Sequence, residues 1–376
     1  MKEQAPVLTD EQAFEEIIAC LEKNIPVDTQ GVCNQRTIFE ILTRAASTGD
    51  SIENTCRILQ DVPCGKNIRY HLEKYNDMNE LENQLNKAIQ AHLPPRIVKG
   101  KQSIAIDSDL IPYYGKPAPG EEPYIVRSQA KAGTCSFYAY ATVYVIRKNK
   151  RVTIAIISVR HDETNVSVIT RLLDKISGLN LRIKSLYIDR GFFSVPIIRW
   201  LKALGISFVM PVIVRGKNGG TRQLLRGGRS YKTTYTMHSP EYGSVTFDVW
   251  VVCVYSKGKY GKHGIEYFAY AVCELPMSLR AVHKAYRKRF GIETSYRLKN
   301  QCRIRTTTKN PVIRLLFMGI AYIIKDIWVW LMWTYVSHPR KGGRLLFHDL
   351  FPLKLMLTFL RQAADRKHRI TDSVYL

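Results

Sequence analysis

The chain has 376 residues, room for two or three structural units at ~100–200 residues each. Apolar residues make up 45% and charged residues 23%, which supports a large folded core and excludes wholesale disorder. Lys and Arg number 56 against 32 Asp and Glu, and a net charge of +24 calls for a polyanionic partner, nucleic acid ahead of an anionic membrane surface.

The excess is lopsided. Residues 1–100 carry 11 basic and 15 acidic side chains, whereas residues 101–376 carry 45 and 17, so the polyanion is expected on the later three quarters. The eight cysteines show neither a C-x₂-C pair nor a Cys/His cluster at zinc spacing, the usage of reduced thiols in a cytosolic protein. The opening MKEQAPVLTDEQAF lacks the apolar run of a secretory signal, so none is expected.

Residues 1–98 read as helical. Within them, residues 51–75 form two short helices about a turn: Ser51 and Asn54 are capping types, Asp61-Val-Pro-Cys-Gly65 breaks the chain, and Ile68, His71 and Leu72 follow at helical spacing. This is the pattern of a helix-turn-helix, with Lys66 and Arg69 on the second helix available to DNA. An ordinary helical hairpin fits the same pattern, and the acidic balance of the region favours it. Pro94-Pro95 marks a linker.

From residue 99 the signal changes to strands. Residues 103–107, 136–147 and 151–159 are β-rich runs of a meander, 165–176 a helix, 183–189 a buried-type strand, 195–204 a helix and 206–214 a strand. The order βββαβαβ with mixed pairing describes an α/β, RNase H-like core, its first part spanning 99–214. Residues 215–277 then interrupt it with glycine-rich basic loops and β-rich runs at 244–255 and 266–273, an expected insertion subdomain. The core resumes over 278–336, and 337–376 is a C-terminal helical tail. Residues 315–336 are long and apolar enough to span a membrane, but Lys325 and Asp326 sit at the centre. Each charge costs roughly 2.5–3.5 kcal/mol on insertion scales, so a buried core helix is expected and no membrane partner.

Two aspartates end apolar strands, Asp107 after SIAI and Asp189 after SLYI, where a rigid backbone can deliver side chains into a site. Asp109 shares the strand face of Asp107 and is read as a loop hydrogen-bonder; Asp162 and Glu163 read as a helix cap. The third acid is Glu293. At 100° per residue Tyr286, Arg289 and Arg297 share its helix face, and it is the one acid among the 11 basic residues of 280–314. Such a stripe repels itself without a counter-charge, which phosphate supplies. Three converging carboxylates can hold two divalent ions about 3.5–4 Å apart for in-line phosphoryl displacement, and Mg²⁺ suits such oxygen ligands.

These residues resemble the DDE transposases of bacterial and archaeal insertion sequences, in the branch marked by Tyr-x₂-Arg-x₃-Glu-x₆-Lys. Asp107 in AIDSDLIPYYG resembles the first-acid strand, Asp189 in YIDRGFFS the second motif, and Tyr286, Arg289 and Glu293 match the third in identity and spacing. The motif's final Lys falls at Asn300, leaving Lys299 or Arg297 to replace it. The resemblance covers roughly residues 100–335. It implies that Asp107, Asp189 and Glu293 are catalytic metal ligands for Mg²⁺, with Mn²⁺ as a substitute. It further implies that Tyr286 stacks on or hydrogen-bonds the terminal nucleotide, that Arg289 clamps a phosphate, and that Arg297 or Lys299 contacts DNA. The enzyme would cut double-stranded DNA at the terminal inverted repeats of its element and join the 3′ ends to target DNA, as a homodimer assembled on DNA in the prokaryotic cytoplasm, at the nucleoid. A stand-alone RNase H-like nuclease would keep the three acids without strand transfer; a non-catalytic regulator would need only the helix-turn-helix and the basic surface.

Overall fold

Runs of β-branched and aromatic residues between 100 and 159 form the first strands: β1 (Gly100–Pro112), β2 (Ile125–Lys131), β3 (Thr134–Val145) and β4 (Thr153–Val159). They follow six helices, α1 (Asp10–Asn24), α2 (Gln35–Thr48), α3 (Ile52–Ile58), α4 (Gly65–Glu73), α5 (Met78–Ala91) and the single turn α6 (Pro95–Val98). The structure, a computed structural model, describes residues 7–31, 33–98, 100–147, 152–257, 263–341 and 343–373. Local chemistry starts these helices. Thr9 and Gln12 form a capping box on α1, and Asn34, Ser51 and Asp77 each accept a first-turn N–H.

The chain continues through α7 (Asn165–Ser177), β5 (Leu181–Ile188), α8 (Val195–Ala203), β6 (Phe208–Pro211), β7 (Tyr231–Ser239), β8 (Gly243–Lys257) and β9 (His263–Cys273). Strands β1–β9 belong to one mixed sheet, in the order β2-β3-β1-β5-β6-β9-β8-β7, with β4 beside the other half of β3. β1, β5 and β6 are parallel; the remaining pairs are antiparallel. The expected insertion subdomain is therefore revised: β9 pairs with β6, so β7–β9 prolong the central sheet. Its pairing partner lies more than fifty residues upstream, which no local pattern reports. The strand expected over 206–214 contracts to Phe208–Pro211, and β1 runs on past Asp107 because β3 still pairs with it as far as Pro112. β2 was hidden because five of its seven positions are exposed and carry no alternation.

An unpaired strand edge is a liability, and α5 covers that of β4 with side chains chosen for its backbone. Asn86 accepts from Ile156 N–H (2.8 Å) and donates to its carbonyl (2.7 Å), Gln90 donates to Ile154 O, and Glu82 accepts from Ser158 N–H. Burial raises the Glu82 pKa, while Arg171 at 2.7 Å holds the carboxylate in its pair.

After α9 (Leu279–Arg287) and α10 (Gly291–Asn300) comes α11 (Pro311–Tyr335), started by Asn310 and the proline at its first turn. Its most apolar 18-residue window is 94% buried, so it is the expected core helix. A short hairpin, β10 (Ser337–Arg340) and β11 (Gly343–Leu346), leads to α12 (Leu353–His368). α12 is more than a tail. It lies against α1 and α2, where Arg44 meets Asp365 (2.9 Å) and the buried Glu40 meets His368 (2.7 Å), and Leu59 bridges Ile370. The two ends of the chain thus form one helical layer, joined to the sheet through α5 and α11.

α5 and α11 approach closely at Gly319, where a Cβ would come within 2.3–2.9 Å of three Leu85 side-chain carbons. Leu85 is itself fully buried. Gly319→Ala should therefore cost about 1–3 kcal/mol by overpacking, read as a lower denaturant midpoint at unchanged m-value. Adding Leu85→Ala should cost less in that background than in the wild type; strict additivity would show that the two do not meet.

Candidate active site

The parallel pairing of β1 with β5 aligns Ile106 with Ile188, so the next residue on each strand is an aspartate, Asp107 beside Asp189. β5 ends there: Asp189 caps the 3₁₀ turn Arg190–Phe192, its carboxylate accepting from Gly191 N–H (3.3 Å). Asp107 lies within β1, opposite Thr142 of β3, and accepts from Ser108 N–H (2.9 Å). Both carboxylates then meet one atom. Arg289 Nη2 stands 3.1 Å from Asp107 Oδ2 and 3.0 Å from Asp189 Oδ1.

Electrostatics explain the meeting. Burial, reinforced by Asp189 and Glu293 and opposed by Arg289, pushes the Asp107 carboxyl up to about 6. Burial works against the Arg289 charge too, but Asp107, Tyr286 and Asp189 outweigh it and raise its pKa. The guanidinium is only 4% exposed and lies 5.7 Å from the Tyr286 ring centroid. Tyr286, 6% exposed, donates its hydroxyl to Ile188 O (3.2 Å) at the end of β5. The arginine and tyrosine expected to meet DNA therefore face into the fold.

The expected single helical stripe is broken. Residues Lys288–Phe290 form a 3₁₀ turn between α9 and α10, which shifts the angular phase. Gly291 permits the join, for a Cβ there would lie 2.8 Å from Tyr144 Oη on β3. As a result Tyr286 and Arg289 point inward, while Glu293 and Arg297 are exposed on α10. The expectation that Lys299 contacts DNA is corrected outright: its side chain is 0% exposed, and Nζ donates to Asp109 Oδ2 at 2.5 Å. Asp109 is correspondingly a strand residue in a buried ion pair, where a loop hydrogen-bonder was expected.

Lys66 is exposed on α4, and Arg69 pairs with Glu53 across the α3–α4 turn (3.0 Å). Asp162 and Glu163 are engaged by Arg160 and Arg171, away from the aspartate pair.

Asp107 and Asp189 are oxygen donors that already share one cationic group, which fits a hard divalent ion. Glu293 bears electrostatically on Asp107, yet among the described residues no three acidic, His or Cys side chains close around a common point. The aspartate pair is assembled; the third acid stands off from it. Sequence reasoning missed the polar contacts beneath α10, at Thr142, Ser295, Tyr296 and Lys325. The usable signal was Lys325-Asp326 itself, a charged pair inside an apolar helix.

Arg289→Ala should leave the Asp107 carboxylate buried without its counter-charge and destabilise the fold by roughly 3 kcal/mol, the lower end for a broken buried pair, since Asp189 is 41% exposed. Millimolar Mn²⁺ should then raise the melting temperature of the variant more than that of the wild type; equal shifts would show that the carboxylates are not a cation site. A pH series gives a second check. Because the folded Asp107 pKa of about 6 lies above its ordinary 3.8, its contribution to stability is full below 3.8 and is lost as pH rises through about 6. Asp326, also pushed to about 6 by burial, adds to the same trend. Asp107→Asn should flatten part of that fall in urea titrations, and an unchanged slope would exclude the shift.

Residues 99–323 match the family described as the transposase DDE domain. No curated relative matches the sequence significantly. Among solved structures the chain is similar to the piggyBac transposase of a synaptic complex with hairpin DNA, determined by cryo-EM. The TM-score is 0.54 at 13% identity, covering 100% of this chain and 84% of that one. At that identity the likeness is one of fold. The family match spans more than half of the sequence and takes in both aspartates, their shared arginine and the α10 glutamate; on that ground the chain belongs to the DDE transposase family.

Proposed function

We propose that the chain is the transposase of a prokaryotic insertion sequence, cutting DNA at the terminal inverted repeats of its element and joining the freed 3′ ends to target DNA. The observation that carries this reading is the convergence of Asp107 and Asp189, from two adjacent parallel strands, on one cationic group. Asp107 and Asp189 would hold Mg²⁺ or Mn²⁺, with Glu293 as the third acid. Such an ion, once bound, would supply Lewis-acid activation of the attacking water or 3′-hydroxyl and charge stabilisation for the leaving oxygen.

The chain's own residues do the rest. Asp107 serves only when ionised; burial pushes its carboxyl up to about 6, and a cation at the site favours the ionised form. Arg289 exchanges the carboxylates for a DNA phosphate, a partner its planar fork suits equally well. Tyr286, beside it, braces the arginine from the aromatic core, its hydroxyl held by Ile188 O at the end of β5. Arg297, exposed one turn beyond Glu293, is a backbone contact.

DNA binding draws on the exposed share of the 45 basic side chains of residues 101–376. A groove of about 950 Å³ runs between the α3–α4 hairpin and residues 300–308, lined by Arg69, Arg303 and Arg305 among others. It joins the candidate DNA-reading helix, with Lys66 and Arg69, to the end of α10. A homodimer assembled on DNA handles the two element ends, in the cytoplasm at the nucleoid.

Asp107→Ala, Asp189→Ala and Glu293→Ala should each reduce divalent-metal-dependent cleavage of a terminal-repeat duplex by at least ~10²–10³-fold, the scale of losing a transition-state stabiliser. Binding of the same duplex in gel-shift titrations should persist. EDTA should abolish cutting, and added Mg²⁺ or Mn²⁺ restore it. Cleavage retained in any one variant removes that residue from the site, and pre-cut ends that are never joined to target DNA would reduce the enzyme to a nuclease.

A further inference from the structure

α10 shows Glu293 to solvent, and its opposite side is polar where a packed helix is ordinarily apolar. Ser295 and Lys299 on that side, and Tyr296 at its edge, each bond to a different element. Ser295 Oγ accepts from Lys325 Nζ at 3.0 Å, an ammonium on α11 with 0% exposure that also donates to Thr153 Oγ1 of β4 (2.9 Å) and pairs with Asp326 Oδ1 (2.6 Å). Tyr296 Oη and Thr142 Oγ1 of β3 share a hydrogen bond of 2.8 Å. Lys299 reaches Asp109 of β1. Two of these anchors flank a catalytic candidate directly, since Thr142 is the cross-strand partner of Asp107 and Asp109 follows it by two residues.

A buried ion pair is seldom retained for stability. Well-packed apolar residues of similar volume do as well or better, by about 1–4 kcal/mol in measured cases. The Lys325–Asp326 pair touches neither the aspartates nor the surface, yet Lys325 bonds to the residue two positions after Glu293. In a packed core such a directional bond fixes the rotation of a helix, which apolar contacts define less sharply.

We propose that Lys325 is a positioning residue for the transposase reaction: through Ser295 it fixes the rotation of α10 over β1 and β3, and so sets where Glu293 stands relative to Asp107 and Asp189. The proposal rests on the catalytic reading of Glu293 given above.

The test compares wild type, the double variant Lys325→Met/Asp326→Leu, which strands no buried charge, and Ser295→Ala, which removes only the link to α10. Mn²⁺ affinity of the DNA-free protein is read by electron paramagnetic resonance, the half-saturating metal concentration and kcat by cleavage of a terminal-repeat duplex, and folding by thermal melting. The double variant should melt at or above the wild-type temperature while Mn²⁺ binds about 5–10-fold more weakly and kcat falls about 10–100-fold. Ser295→Ala should move the same quantities the same way by smaller factors. Wild-type Mn²⁺ affinity in both variants would overturn the proposal; so would a loss confined to melting temperature. Should the double variant not fold, Ser295→Ala decides alone. A wild type that binds Mn²⁺ but cuts no DNA would sink the transposition reading and leave the Mn²⁺ comparison to decide this one.

Discussion

Two like charges side by side in a half-buried place need a third charge, and much of this fold answers that requirement. The register of β1 against β5 forces Asp107 and Asp189 together. Their mutual repulsion and the partial burial of Asp107 demand a cation, which Arg289 brings from the turn between α9 and α10. To deliver it, the helix must break at Lys288–Phe290, and α10 must restart with Gly291 against Tyr144. The same constraint makes the pair a cation site: whatever displaces Arg289 must offer the carboxylates as much positive charge and the guanidinium as much negative.

Around that point the layers are arranged to hold rather than to move. One face of the sheet at the site meets α9 and α10 through a small aromatic core of Tyr144, Tyr187, Tyr270 and Tyr286. The large core ties the sheet to α11, α5 and the helices at both chain ends. Polar groups are buried where direction matters: Asn86 and Gln90 on the β4 backbone, Glu40 on His368, Lys325 on Ser295. Each would be costly if left unpaired, so each specifies one arrangement of two elements over its neighbours.

The positive charge acquires the same logic. Over residues 280–314 Glu293 is the one acid among 11 basic side chains, but these do not form a uniform surface. Arg289 and Lys299 are buried on Asp107, Asp189 and Asp109, whereas Arg297 is exposed. Part of the charge therefore serves the interior, neutralising the acids of β1 and β5, and only the remainder faces a polyanion.

The local part of this was written in the sequence. The cap at Ser51, the β-rich runs of β3 and β4, and the apolar runs ending in Asp107 and Asp189 each depend on neighbours a few residues apart, so local pattern alone revealed these elements and singled out the two aspartates. The charge at positions 325 and 326 likewise marked α11 as a core helix. What tertiary structure decided are contacts between distant residues, to which periodicity is blind. Lys299 finds Asp109 190 positions away, β9 finds β6 across an intervening hairpin, and α12 returns to α1 and α2 from the opposite end of the chain. Whether a basic residue on α10 faces solvent or a buried carboxylate depends on the 3₁₀ turn before it, where Gly291 packs against Tyr144 of the sequence-distant β3.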